Sequence, residues 1–457
     1  MTTHHRFHER SLPFDADSIA VGAALAASCT DDYVLFEHRG AVAWAEAPYA
    51  TVEAAAGSTS LVVDGRTHHF EAGSRPLDPV GQALAELRLE GWRAYGWAPF
   101  ELSYALHGAG RLTPDTPIAH LAVPRREIRL ERGTALLRAI DENDLDSLEL
   151  RLSTAVAAAD KDIPEERIEA DVQNHDADSY RASVAAAVAE IRSGALDKVI
   201  LSRVVPVDEA VDIPSTYLVG RRGNNPARSF LLRLGGWHAA GFSPEIVSRV
   251  TAEGRVTTQP LAGTRALEGD PTADRARRAE LYRDPKEVFE HAISVRLAVD
   301  ELDRVCEPET VTVDDFMIVK PRGSVQHLAS KLSGNLAPEH TAWDALAALF
   351  PAITASGIPK RPACDLIARS ESQPRGLYSG AVLTVDADGS MDAALVLRSI
   401  YQQDGRTWLR AGAGIVADST PERELEETRE KLRSVSRFLV PAVDAPLSRQ
   451  LTAAAVD

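Results

Sequence analysis

Cysteine is scarce in this sequence, with three in 457 residues, at Cys29, Cys306 and Cys364. They lie far apart and form no CxxC pair, which argues against a disulfide scaffold or a structural zinc site and points to a reducing compartment. No run approaches the roughly eighteen apolar residues of a membrane span. The opening segment MTTHHRFHERSLPFDADS lacks the hydrophobic stretch of a signal peptide. The expectation is a cytoplasmic protein with no membrane partner. Positive charge is in deficit too: 50 Lys and Arg stand against 67 Asp and Glu, a net charge of −17. Such a surface repels polyanions, so nucleic acid is a poor partner. A small anionic substrate stays admissible, because a local metal ion or Arg cluster outweighs a distant, screened field. His4, His5 and His8 have metal-binding chemistry but read as a solvated tail.

What the chain does have is ample apolar material, 44% hydrophobic residues against 26% charged, the balance of a globular protein. Alternating stretches 33-YVLFEH and 59-TSLVVDG predict strands, and 80–90 predicts an amphipathic helix. The segment 158-AADKDIPEERIEADVQNHDADS is charged, without apolar period, and marks a surface connection. It separates an N-terminal part, 1–178, expected to pack onto the rest, from a chemistry-bearing region over 179–445 and a tail over 446–457. Ser179 caps a predicted helix with the stripe Val184, Val188 and Ile191, ending at Gly194. Strand-like runs follow at 198-KVILSRVVPV, 229-SFLLRL, 237-WHAAGF and 255-RVTTQPLAG, then a long helix over about 284–303. Further strands at 378-YSGAVLTV, 392-DAALVLRSIY and 406-RTWLRAGAGIV precede a helix opening after Pro421. Strands often succeed one another directly, so the pattern predicts an α+β fold of large antiparallel sheets with helices packed outside.

Two of these helices each carry a pair of glutamates three residues apart: Glu287 with Glu290, and Glu424 with Glu427, the latter followed by Lys431. An i,i+3 pair shares a helix face, so each helix can aim two carboxylates at one point. Alone, such a pair is ordinarily a solvated face. Together they suit Mg²⁺, which takes oxygen ligands and is held by one or two carboxylates plus waters and substrate. Lys198 lies among Val199, Ile200 and Leu201, either as a strand-end gatekeeper or as a desolvated amine acting as a general base. Glu245 follows 241-GFSP, either a loop acid or a general acid kept protonated by an apolar pocket. Arg398 sits in an apolar run and either closes a buried salt bridge or grips a carboxylate with its planar fork. The turns expected at 262-AGT and 411-AGAG would let backbone N–H groups approach an anion.

Together the strings 198-KVILSR, 243-SPEIV, 260-PLAGTR, 287-EVFEHAISVR, 324-SVQHL, 350-FPAITASGIPK, 375-RGLYSGA, 409-LRAGAGIV and 422-ERELEETREKL resemble the chorismate-utilising enzymes. They run in the order found in that family and cover about 195–435. Lys198 occupies a position that is typically glutamine in the ammonia-using members, which makes the chain similar to the water-using branch and leaves no role for a glutaminase subunit. FPAITASGIPK and the N-terminal strings 91-GWRAYGWAPFELSYALHG, 115-DTPIAHLAVPRREIRL and 216-TYLVGRRGNNPARSFLLRLGG resemble the salicylate-forming members. Gln259 is Glu in some relatives.

The resemblance implies chorismate as substrate, isochorismate as first product, and then salicylate plus pyruvate for siderophore assembly, by a monomer. The alternatives are an enzyme that stops at isochorismate and a non-catalytic chorismate binder. It further implies Mg²⁺ on Glu290 and Glu427, with Glu287 and Glu424 acting through water. Lys431 and the backbone at Gly412 and Gly414 would help hold the ring carboxylate. Arg398 and Tyr378 would take the enolpyruvyl carboxylate, and Gly263, Thr264 and Thr354 would line the ring. Lys198 would be the base, Glu245 the acid, and His327 a polar wall.

Overall fold

Apolar side chains recurring along Ala41–Ala55 and Pro117–Glu131 pair these two strands in the longest ladder of the molecule, Val42 opposite Leu130 through Ala55 opposite Pro117. The computed structural model describes residues 5–442 apart from 72, 111, 160–162, 268 and 323–324. His4, Ser324 and the tail expected at 446–457 therefore lie outside the described residues.

Two antiparallel arms leave that central ladder. One passes through Tyr33–His38, Arg228–Leu234, Trp237–Ser243, Ser399–Gln403 and Arg406–Ile415 to Lys198–Pro206. The other passes through Arg93–Ala98, Ala381–Asp386, Met391–Leu395, Ile246–Val250 and Arg255–Thr258 to Val325–Asn335. The expected α+β class with antiparallel sheets is what forms. Strands from before residue 178 are ladder members in both arms.

The chain changes arm twice at one level, and this builds the site. Trp237–Ser243 belongs to the first arm and Ile246–Val250 to the second, with Pro244 and Glu245 between them. Met391–Leu395 belongs to the second arm and Ser399–Gln403 to the first, with Arg398 at the break. The two crossings are bonded to each other: Phe242 N–H donates to Arg398 O at 3.1 Å and Leu395 N–H to Glu245 O at 3.2 Å. The single strand expected over 392–401 is thus two, because Arg398 adopts a left-handed φ of 52° that turns the chain. The run 255-RVTTQPLAG also divides, at Gln259 and Pro260, where proline has no N–H for the ladder.

Neither glycine-rich segment is a turn. Gly263 forms a bulge inside Leu261–Ala266, with φ of 74° and a register shift against Val325–Asn335. Gly412 and Gly414 lie within Arg406–Ile415. The helix expected from Ser179 begins at Ala177, after Asp176, and that expected over 80–90 spans Asp78–Ala85. Nor are His5 and His8 a loose tail: His5 pairs with Leu89, and His8–Phe14 pairs with Gly133–Ala139.

Helix Pro285–Leu302 starts where sequence chemistry dictates, with Asp284 capping the N–H groups of Lys286 and Glu287 and Pro285 at the first position. It packs on Leu261–Ala266 and Val325–Asn335, while Pro421–Ser436 packs on Arg406–Ile415. The floor between them is braced by Glu371, which accepts from Ser202 N at 2.8 Å, Arg375 Nη2 at 2.7 Å and Arg410 Nη2 at 2.6 Å. Both guanidinium groups flank the Tyr378 ring at 5.5 Å. Glu371→Ala would strand two buried cations, a loss of about 3–5 kcal/mol. Urea unfolding should show that drop, and a shift below about 1 kcal/mol would mean the brace carries no such weight.

Candidate active site

A cleft of about 880 Å³, counting its mouth, opens between the two arms. It is lined by Lys198, Glu245, Gly263, Thr264, Glu290, His327, Thr354, Tyr378, Arg398, Gly412, Gly414, Glu427 and Lys431. Every residue given a site role from the sequence is there except Glu287 and Glu424, and Gln259 is not among the lining residues either.

Lys198 opens strand Lys198–Pro206 and is buried, so the solvated gatekeeper reading does not hold. Its Nζ lies 3.0 Å from Glu290 Oε2. Glu245, at the first crossing, accepts a 2.6 Å bond from Thr354 Oγ1. Burial pushes its carboxyl up to about 8, with the Thr354 bond and the charge of Lys198 only partly opposing. The group is therefore a protonated acid at neutral pH. Gly414 sits beside this pair, where a Cβ would meet Lys198 Cε at 3.2 Å and Glu290 Oε2 at 3.3 Å. At Gly412 a Cβ would meet Leu201 O at 2.5 Å and Tyr378 Oη at 2.9 Å. These glycines keep the cleft open by having no side chain.

Arg398 has no carboxylate partner among the described residues, so of its two sequence readings the buried salt bridge is not formed. Nη1 donates to Arg322 O at 3.1 Å and Nη2 to His327 Nε2 at 2.5 Å. Burial, aided by nearby Arg322, lowers its pKa to about 10, still charged at neutral pH. His327 is held well below the usual histidine range by burial and by Arg398. A neutral ring accepting at Nε2 carries its proton on Nδ1, which lies 3.0 Å from Thr264 Oγ1 and 3.3 Å from Gly263 O. His327 is thus more than a polar wall: it orients the guanidinium. Burial likewise raises Tyr378, keeping the phenol protonated.

At the other end the glutamates of both helices converge, and each has a cation. Glu290 meets Lys198; Glu424 meets Lys286 at 3.0 Å; Glu427 meets Lys431 at 2.8 Å; Glu287 meets Arg265 at 2.9 Å. Lys431 also donates to Gly412 O at 2.8 Å. Crowding remains: burial first, then Glu427, raises Glu424, and burial, Glu427 and Glu290 raise Glu287. Glu290 Oε1 and Glu424 Oε2 are buried without a hydrogen-bond partner. Among the described residues no three His, Cys, Asp or Glu side chains already form a metal cage. The donors fit a hard divalent ion all the same, one bound through few carboxylates and completed by water and ligand oxygens. Lys286, Arg265, Arg410 and Thr354's bond to Glu245 were not read from sequence as parts of this arrangement; only the DPK stretch capping the helix hinted at Lys286.

Residues 31–437 match the model of the family described as chorismate binding enzyme, and the chain belongs to that family. Among its relatives, a salicylate synthase of Mycolicibacterium paratuberculosis is 44% identical over 434 residues, 94% of this chain and 95% of that one. Anthranilate synthase component 1 of Spirochaeta aurantia is 39% identical over 268 residues, 58% of this chain and 55% of its own. Among solved structures, MenF, the menaquinone-specific isochorismate synthase of Escherichia coli, shares the fold with a TM-score of 0.70 at 22% identity, over 94% of each chain. Anthranilate synthase component I of Streptococcus pneumoniae does so with a TM-score of 0.69 at 26% identity, over 90% of this chain and 93% of that one.

The raised pKa of Glu245 has a thermodynamic signature. Between the ordinary glutamate value and about 8 the native state holds a proton that the unfolded chain has lost. Stability from this group is therefore complete below the ordinary value and falls as pH rises through that window, by at most about 1.4 kcal/mol per unit. Melting curves of ligand-free protein from pH 5 to 8 should show Glu245→Gln gaining on the wild type as pH rises. Parallel curves would place the carboxyl in an ordinary environment.

Proposed function

We propose that this enzyme converts chorismate to isochorismate and then to salicylate and pyruvate, with magnesium at the glutamate cluster. The observation that carries the reading is a buried amine, Lys198, and a buried protonated carboxyl, Glu245, lining one cleft. The near full-length likeness to a salicylate synthase supports the second stage.

In the first stage Lys198 serves as the base that takes a proton from a water that bonds to C2 of the ring. The double bonds shift, the C4–O bond breaks, and Glu245 protonates the departing hydroxyl, which leaves as water. One water enters and one leaves, so the step is an isomerisation. In the second stage the hydrogen on C2 passes to the enolpyruvyl methylene while the ether C–O bond breaks. Pyruvate departs and the ring becomes aromatic as salicylate. This stage needs no protein acid or base; the cleft holds a compact conformer and excludes water.

Arg398, oriented by His327, takes the enolpyruvyl carboxylate together with Tyr378. Thr354, Gly263 and Thr264 line the ring, and Lys431 with the strand at Gly412 and Gly414 supports the ring carboxylate. Glu290 and Glu427 would hold magnesium directly, and Glu287 and Glu424 through water, neutralising and anchoring that carboxylate. We further read the chain as a cytoplasmic monomer that needs no glutaminase subunit and supplies salicylate to siderophore assembly. Residues 1–178 we read as part of the same folded body as 179–445.

Purified protein with chorismate and Mg²⁺ should yield salicylate and pyruvate in equal amounts by chromatography; isochorismate without pyruvate would remove the second stage. Lys198→Ala and Glu245→Gln should each slow isochorismate formation by about 10²–10⁴-fold with circular dichroism unchanged. Near-normal turnover in either would overturn its role. EDTA should stop the reaction and added Mg²⁺ restore it, whereas full activity in chelator would dismiss the metal.

A further inference from the structure

Two cations of the glutamate cluster, Lys286 and Arg265, have no part in the chemistry above, and Lys286 is the one that spans both helices. Lys286 lies one turn before Glu290 on its helix, with Nζ 3.7 Å from Glu290 Oε1 and 3.0 Å from Glu424 Oε1 on the other helix. These are the two glutamates that each keep a buried oxygen without a hydrogen-bond partner. Lys286 therefore spans the two helices on the very carboxylates left incompletely satisfied.

Its three companions are fixed in other ways. Lys198 is enclosed, with 3% of its side chain exposed. Lys431 is tied to Gly412 O, and Arg265 also bonds Asp284 at 2.6 Å. Among the described residues the Lys286 ammonium hydrogen-bonds Glu424 alone and pairs by charge with Glu290 at 3.7 Å, and 28% of its side chain is exposed. Its flexible four-carbon stem has a path to water. The Lys286 N–H is held separately by Asp284 Oδ1 at 3.0 Å, so the helix start can stay in place while the side chain moves.

We propose that Lys286 is a placeholder cation, holding Glu290 and Glu424 together while the cluster lacks a divalent ion and swinging into solvent when one binds. This rests on the reading of the cluster as a magnesium site. No covalent bond changes; a monovalent ammonium gives way to a divalent ion. The placeholder lets the carboxylates of the two helices come together without metal, and in return it competes with the ion.

Calorimetric titration with Mg²⁺ and metal-free melting test this on wild type, Lys286→Met, Lys286→Gln and Lys286→Arg. The two neutral variants should bind Mg²⁺ about five- to tenfold more tightly, roughly 1–1.4 kcal/mol. They should also melt lower without metal and gain more from added Mg²⁺ than the wild type. A neutral variant that folds only with Mg²⁺ present supports the placeholder equally. Lys286→Arg should stay within about twofold of wild type, since it keeps the charge. Neutral variants that bind Mg²⁺ no more tightly than wild type overturn the proposal. A wild type that binds no Mg²⁺ overturns the metal reading itself.

Discussion

Like charges brought together out of water must be neutralised, and that constraint organises this molecule. Glutamates from Pro285–Leu302 and Pro421–Ser436 converge on one cleft, and burial of Glu290 and Glu424 weakens the screening between them. The chain answers with one cation for each: Lys198 from a sheet strand, Lys286 and Lys431 from the same two helices, and Arg265 from the bulged strand. Three of these pairings tie one element to another, and Lys431, on the same helix as Glu427, reaches Gly412 O on the sheet, so the charges that would push the helices apart fix their position instead. Such pairs add little net stability over an apolar core. What they contribute is a cluster assembled before any ligand arrives.

The same economy of position places the acid and the guanidinium. Glu245 and Arg398 lie at the two points where the chain passes between arms, and those points are bonded to each other through the backbone. A residue inside a regular ladder points straight out of its sheet. A residue at a crossing is released from that alternation and can face the gap between sheets. The left-handed φ of Arg398 is a local cost that the surrounding ladders enforce, in keeping with strain collecting at functional sites. Lys198 and Glu290 form one charged pair on the cleft lining, and Arg398 with His327 form another.

Much of this was legible in the sequence because the signals were periodic or compositional. The i,i+3 glutamates showed their common face, the long helical pattern over about 284–303 was plain, and alternating apolar runs announced antiparallel strands. The break at Arg398 was hidden, since VLRSI reads as an unbroken strand and nothing local demands a positive φ there. Gly412 and Gly414 looked like turn residues; only the sheet neighbours Leu201 and Lys198 reveal that a Cβ is what must be absent. The partners Lys286 and Arg265 were missed because countercharge is a tertiary matter. A lysine beside an acidic helix has the same local pattern whether it faces solvent or bridges two helices.

The charges lining the cleft also explain how so acidic a chain can admit an anion. Net charge acts through a field that salt cuts off within about 10 Å, whereas contact charges inside a poorly screened cleft act at full strength. Arg398 and the neighbouring Arg322 have no carboxylate partner among the described residues, and only backbone carbonyls and His327 accept from them. Their charge is unspent, in contrast to the neutralised glutamate end. An anion approaching the cleft therefore meets net positive charge at one end and at the other a balanced cluster that turns positive only when a divalent ion joins it. That asymmetry favours entry of an anionic group at the guanidinium end of the cleft, where Arg398 lies with His327.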